Sequence, residues 1–151
     1  MNNLVELENI NISVPQNKNI VIENFSVSPG DAIQLKGESG RGKSFFFLTL
    51  LGMTESSFEL YGNGLNFSTQ FCYCPASLSF FSNTVMDELR RINVDDERLE
   101  KVLKTELITR EFLDLKCRDL SSGQNQLLIF VRAILSNKPI IILDELTNAM
   151  D

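Results

Sequence analysis

Residues Gly37 to Ser44, GESGRGKS, lie between the apolar stretch AIQLKG and the run FFFLTLLGM. This arrangement constrains the fold more than any other feature of the chain. The eight residues satisfy the pattern G-x-x-x-x-G-K-[ST]. Glycines at such positions let consecutive backbone N–H groups turn inward and form a nest for phosphate oxygens. A helix beginning at the end of the loop adds the positive end of its dipole. The pattern therefore predicts a short buried strand over 32–37, the loop, and a buried helix that ends near Gly52. Within the loop, Gly37, Glu38, Ser39, Gly40, Arg41, Gly42, Lys43 and Ser44 are expected to hold a nucleotide's phosphates. Lys43 would reach the β- and γ-phosphates, and the Ser44 hydroxyl would take a magnesium site. The competing reading is a glycine-rich turn with an incidental lysine, and it leaves the flanking strand and helix unexplained.

The rest of the chain alternates strand and helix patterns. Residues 4–14 alternate apolar and polar most cleanly at Ile10, Ile12 and Val14, which reads as a half-buried strand. PQNKN turns the chain, IVIENFSV reads as a second strand, and Pro29-Gly30 punctuates another turn. FELYGNGL reads as a small hairpin turning at Gly62-Asn63-Gly64, and FCYC as a further strand. From Thr84 to about Leu115 the pattern is polar and helix-prone, with Leu99, Val102, Leu103 and Leu107 on one face. Residues 124–136 form an amphipathic helix with Leu127, Leu128, Val131, Ile134 and Leu135 as its apolar stripe. After Pro139, IIIL is a continuous apolar strand of the kind that parallel sheets bury on both faces. The fold class is α/β.

That last strand runs into two carboxylates. Asp144, at its tip, is placed to hold magnesium, and Glu145, one residue further, to orient or deprotonate an attacking water. Such a strand is a weak signal alone and a strong one beside a phosphate loop. The cysteines, Cys72, Cys74 and Cys117, come without any histidine and make a poor zinc site. Their odd count suits reduced thiols. A net charge of -6 argues against coating nucleic acid, whose phosphates reward clustered Lys and Arg. The longest apolar run, Phe45 to Leu51, is too short to cross a bilayer, and the N-terminus lacks a signal-peptide pattern. A cytoplasmic location is expected.

Between the two sites stands LSSGQNQLLIFVRAIL, and here the chain resembles a family. Leu120-Ser121-Ser122-Gly123-Gln124 looks like the signature motif of ATP-binding cassette (ABC) ATPases. Its Walker A loop precedes the signature, and its Walker B strand follows, in the family's order. DELTNAMD resembles the D-loop region, with Ala149 and Asp151 at matching positions, and FFSNTVMDEL resembles the stretch after the Q-loop in ABC exporters. The resemblance implies a P-loop NTPase with an N-terminal antiparallel β subdomain and P-loop region over about 1–75. A helical insertion would span about 84–122, and the signature helix, parallel-core Walker B strand and D-loop about 123–151. It implies ATP and Mg2+ as ligands, and a head-to-tail dimer of cassettes. There the Ser121, Ser122, Gly123 and Gln124 signature of one chain faces the γ-phosphate held by the other. It also implies a transmembrane partner, as a domain or a subunit, that holds the chain at the cytoplasmic face of a membrane. Nothing shows the coiled-coil insertion or basic surface of soluble ABC proteins of translation or DNA maintenance.

Several positions depart from the family pattern. The Q-loop glutamine falls on Ala76, the adenine-stacking aromatic on Val14, a signature glycine on Ser122, and the proline after the catalytic glutamate on Leu146. There is no switch histidine, and the chain stops at Asp151, before the family's remaining core strands. Two functions are thus expected to compete: an ATPase that energises transport, using Lys43 and Glu145, and an incomplete cassette that binds nucleotide without useful turnover.

Overall fold

The computed structural model describes residues 5–14, 18–38, 40–53, 57–60, 70–92 and 94–144, with residues 5–14, 18–20 and 57–60 described by their backbone. Two compact units divide the chain, Met1–Phe71 and Cys72–Asp151.

The first unit is built on an antiparallel sheet. Strands β1 (Val5–Val14) and β2 (Lys18–Val27) pair along their full lengths, from Val5 opposite Val27 to Val14 opposite Lys18. Strand β3 (Ser57–Leu60) adds to the other side of β1, giving the order β2-β1-β3. The β1–β3 register shifts between Glu8 and Asn11, an irregularity that lets a short strand follow a longer, twisted one. After β2, the Pro29-Gly30 turn is closed by the Asp31 N–H on Ser28 O (3.1 Å) and by the Ser28 N–H on Asp31 Oδ2 (2.7 Å). Gly30 sits at φ 90°, as the third residue of a turn beginning Ser-Pro requires. The hairpin turn expected at Gly62-Asn63-Gly64 lies outside the described residues.

Residues 31–38 differ from the expected buried strand. They run as irregular, exposed chain, with Ile33 53% and Leu35 38% exposed. Apolar alternation marks a segment that suits a strand, but a strand exists only where a neighbour takes its N–H and C=O groups. No such neighbour for 31–38 stands among the described residues. Helix α1 (Lys43–Leu50) follows as expected. Phe46, Thr49 and Leu50 are its buried side chains, and the Phe46 ring meets Phe25 of β2 edge-on at 5.7 Å. Gly52, at φ 69°, ends α1 in a Schellman turn: its N–H donates to Thr49 O and that of Met53 to Leu48 O, both at 2.9 Å.

The second unit joins a small sheet to a group of helices. Strand β4 (Phe71–Cys74) pairs with β5 (Ile140–Leu143). The Asp144 N–H donates to Cys74 O at 2.9 Å, so the strands' C-terminal ends meet and the pair is parallel. Ile142 is buried, whereas Ile141 and Leu143 are about two-fifths exposed (40% and 43%). The burial on both faces expected of IIIL is thus a burial on one, because no second layer over Ile141 and Leu143 stands among the described residues of this unit.

The helix-prone stretch resolves into α2 (Val85–Arg90), α3 (Asp96–Lys104) and α4 (Arg110–Asp114), each begun by a side-chain cap from Thr84, Asp95 and Thr109 respectively. Glu106, at φ 59°, turns the chain out of α3. A 3-10 turn, Cys117–Asp119, leads to α5 (Ser122–Leu135). Val85, Leu89, Leu128 and Val131, all nearly inaccessible, form the centre of this core. Of the stripe expected on α5, Leu128, Val131 and Leu135 are buried, while Ile134 is 40% exposed. Gln126, Ile129 and Ala133 are buried as well. Ile129 and Ala133 pack with Cys74 of β4, so α5 packs on helices with one face and on the sheet with another, and its buried arc is wider than one stripe.

Candidate functional site

The glycine loop enters α1 through Gly42, which occupies the N-cap position at φ 90°, ψ 17° with no side-chain cap. Gly40 is also left-handed, at φ 75°. A residue with a Cβ is strained in either place, so the pattern's last glycine is required by the backbone path as well as by space for a ligand. The Phe46 N–H donates to Gly42 O at 2.9 Å, and no side chain caps the N–H groups of the first turn. Lys43 folds back over the loop, its Nζ donating to Gly37 O and Glu38 O, each at 2.9 Å. Arg41 and Glu38 form an exposed ion pair (Nη2–Oε2 2.7 Å) with a second contact from Arg41 Nε at 2.9 Å. The Ser44 side chain is exposed at the start of α1. Ser39 lies outside the described residues. The loop thus offers a cation, a hydroxyl and a helix start with no side-chain cap, a chemistry suited to phosphate.

In the second unit, Asp144 stands just past the end of β5, with 7% of its surface exposed. Its Oδ2 accepts the Tyr73 hydroxyl of β4 at 2.7 Å. Burial first, then the bond to Asp144 and its charge, push the Tyr73 phenol above its ordinary range and keep it a donor at neutral pH. Glu145 and Asp151 lie outside the described residues, as do Leu146 and Ala149.

The signature residues begin α5. Ser121 is the N-cap, its Oγ accepting from the Gln124 N–H at 3.2 Å, while Gln124 Oε1 accepts from the Ser121 N–H at 2.9 Å. This reciprocal box locks the entry to the helix. Ser122 is exposed on the first turn, and Gly123 follows half-buried. Both the N-cap reading and a ligand-facing one fit: the box consumes the Ser121 N–H and the Gln124 N–H, and leaves those of Ser122 and Gly123 to other partners.

Three residues near the signature were not singled out by sequence. Asn125 Nδ2 donates to Leu78 O at 3.0 Å, and Gln126 Nε2 to Ala76 O at 3.4 Å. Arg132 lies over the Phe80 ring, 5.5 Å from its centroid, and pairs with buried Glu88 (Nη1–Oε1 3.4 Å). The segment carrying Ala76 is thereby tied to α5 through its main chain. The amide side chains of Asn125 and Gln126 early in an apolar helix were the available signal; their targets, some 50 residues away, were not.

Asp144 in the second unit offers a carboxylate and Ser44 in the first a hydroxyl, each the kind of oxygen donor that Mg2+ takes beside substrate oxygens and water. Among the described residues no helix is long and apolar enough to cross a membrane.

Residues 22–148 match the family model described as ABC transporter. Over its whole length the chain is 31% identical to the molybdate import ATP-binding protein MolC of Haemophilus influenzae, of which it spans 63%. Over 98% of its length it is 28% identical to the ATP-dependent lipid A-core flippase of Pseudoalteromonas translucida, of which it spans 30%. Among solved structures, a bacterial Atm1-family ABC exporter with ATP bound superposes with a TM-score of 0.78 at 19% identity, covering 97% of this chain and 30% of that one.

Proposed function

Because the chain belongs to the ABC transporter family, we propose that it is the nucleotide-binding part of a transporter, binding and hydrolysing ATP to power movement across a membrane. The chain spans 63% and 30% of the two curated relatives given above, so the partners and the cargo are part of this reading. What carries it is the loop geometry: Lys43 and the uncapped start of α1 converge on one turn, with left-handed glycines at Gly40 and Gly42.

In this reading Lys43 leaves its carbonyl partners and binds the β- and γ-phosphate oxygens. Main-chain N–H groups from Gly40 to Ser44 take the rest. Ser44 and Asp144 would hold magnesium, whose charge would offset that of the phosphates. Glu145 orients the attacking water and accepts its proton. The Ser121–Gln124 turn presents the Ser122 and Gly123 N–H groups and the α5 dipole to the nucleotide of a second, head-to-tail cassette, with Asp151 in the D-loop between them. A transmembrane partner at the cytoplasmic face would take up the motion.

The test is a titration with magnesium and ATP that reads thermal stability and phosphate release together. Stabilisation should grow with ligand, by about 2.7 kcal/mol at a hundredfold excess over Kd, and vanish in Lys43→Ala. Phosphate release should be lost in Glu145→Gln with binding retained. Binding without release in the unaltered chain would leave the second reading, a nucleotide-binding module without turnover, which Ala76 at the Q-loop position favours.

A further inference from the structure

Strand β4 grips Asp144 twice. Cys74 O accepts the Asp144 N–H at 2.9 Å, and the Tyr73 hydroxyl donates to Oδ2 at 2.7 Å across 71 residues of sequence. The aspartate is 93% buried, so little water reaches it to supply other donors. An aspartate has two side-chain torsions. With its main chain pinned and Oδ2 bonded, the plane of the carboxylate is set, and Oδ1 is the oxygen left for another partner. From this geometry we infer that Tyr73 is a positioning residue for the metal–nucleotide site: its hydroxyl holds Asp144 so that Oδ1 faces the cation.

The inference rests on the reading of Asp144 as a magnesium-holding residue. It also bears on the departure at Ala76, two residues beyond Cys74. That position has no amide to offer, and Tyr73 supplies the hydroxyl that β4 presents at the sheet's C-terminal edge. A tyrosine that merely satisfied a buried carboxylate would support folding and leave the cation indifferent. One that orients a ligand should behave as such partners do, where substitution costs about 10- to 100-fold in metal affinity.

Manganese serves as the probe for magnesium, titrated by electron paramagnetic resonance into the 151-residue chain with a non-hydrolysable ATP analogue. Tyr73→Phe should weaken manganese binding by about 10- to 100-fold, and Asp144→Ala at least as much. Nucleotide affinity measured in a chelator should be equal in all three proteins. If Asp144→Ala loses the metal and Tyr73→Phe does not, the positioning role is wrong while the reading of Asp144 stands. If Asp144→Ala keeps the metal, that reading falls, and this inference with it. A second measurement leaves Tyr73 in place. The chain has no tryptophan and two tyrosines, so Tyr61→Phe makes Tyr73 the sole strong near-ultraviolet emitter. Its emission should change as magnesium and nucleotide saturate the site, because the carboxylate that accepts its hydrogen bond then shares charge with the cation. A flat trace through saturation overturns the inference.

Discussion

Replacing Arg132 by methionine removes the guanidinium from a largely buried pair and keeps most of the apolar stem. Glu88 is 5% exposed, its Oε1 lies 3.4 Å from Arg132 Nη1, and its Oε2 accepts the Ser82 hydroxyl at 2.6 Å. Removing one partner of a fully buried pair costs about 3–5 kcal/mol, because the other charge stays buried. Two features lower that here. The Arg132 side chain is 25% exposed, so water already screens the pair, and Ser82 keeps one strong bond to the carboxylate. Loss of the contact with Phe80 returns about 0.5–1 kcal/mol. The expected cost of Arg132→Met is therefore about 3 kcal/mol, a large share of the roughly 5–15 kcal/mol that holds a domain together. Glu88→Gln should cost less, about 1–2 kcal/mol, since the amide oxygen can still accept from Arg132 while its NH2 donates to the Ser82 hydroxyl oxygen, and the 25%-exposed Arg132 keeps some water. The double variant Glu88→Leu with Arg132→Met removes both charges and should cost less than Arg132→Met alone. Urea unfolding followed by far-ultraviolet circular dichroism reads all three, with an unchanged slope confirming that stability alone has moved. Equal costs for the two single changes, or strict additivity in the double, would refute the asymmetry.

Phe46→Ala should destabilise the first unit by about 3–5 kcal/mol, because it empties a 2%-exposed site against Phe25 and Phe47; a drop below 1 kcal/mol in the same unfolding assay would contradict that packing. Ser121→Ala should cost about 1 kcal/mol by breaking the box with Gln124, and Ser121→Asp should restore most of it. Cys72 and Cys74 titrate as a pair. The Cys74 hydrogen bond draws the Cys72 thiol down to about 6 against the opposing effect of burial, with Ser136, Arg132 and Lys138 adding to the pull. The same bond and burial drive Cys74 up, and burial raises Cys117. Above pH 6 Cys72 is thus mainly thiolate, and iodoacetamide at pH 7 should label it ahead of Cys117, the advantage shrinking as pH falls through 6. Mass spectrometry of the labelled peptides decides it, and Cys117 labelling first would be the contrary result.

Local chemistry was legible in the sequence, and distant pairing was not. The alternation through Ile10, Ile12 and Val14 reads as a strand because side chains in a strand alternate faces, and β1 spans Val5–Val14. Pro29-Gly30, Gly42-Lys43 and Gly52 each carry their geometry in three or four residues. The same rule applied to Ile33 and Leu35 predicts a strand, and the segment is irregular and exposed, since a ladder partner is a property of another part of the chain. On α5 a single apolar stripe put Ile134 inward, whereas contact with both sheet and helices widened the buried arc to Gln126, Ile129 and Ala133. The phosphate loop and Asp144 could be read as candidates from motif and strand end. Tyr73 could not, because nothing within FCYC says which strand will lie beside it.

Lys43 already has two carbonyl partners within its own loop. An ammonium has three donors, so an anion that takes more than the remaining one must replace bonds that exist, and in the proposed reading the loop's affinity includes a difference between two environments of one lysine. Both bonds are exposed, so each is worth less than the roughly 1.5–3 kcal/mol of a charged donor's bond, and together they set a modest threshold for an ion touching the ammonium alone. In that reading a polyphosphate clears it by engaging the main-chain donors from Gly42 onward at the same time. The lysine then biases the cradle toward polyphosphate over a small anion, without a further side chain.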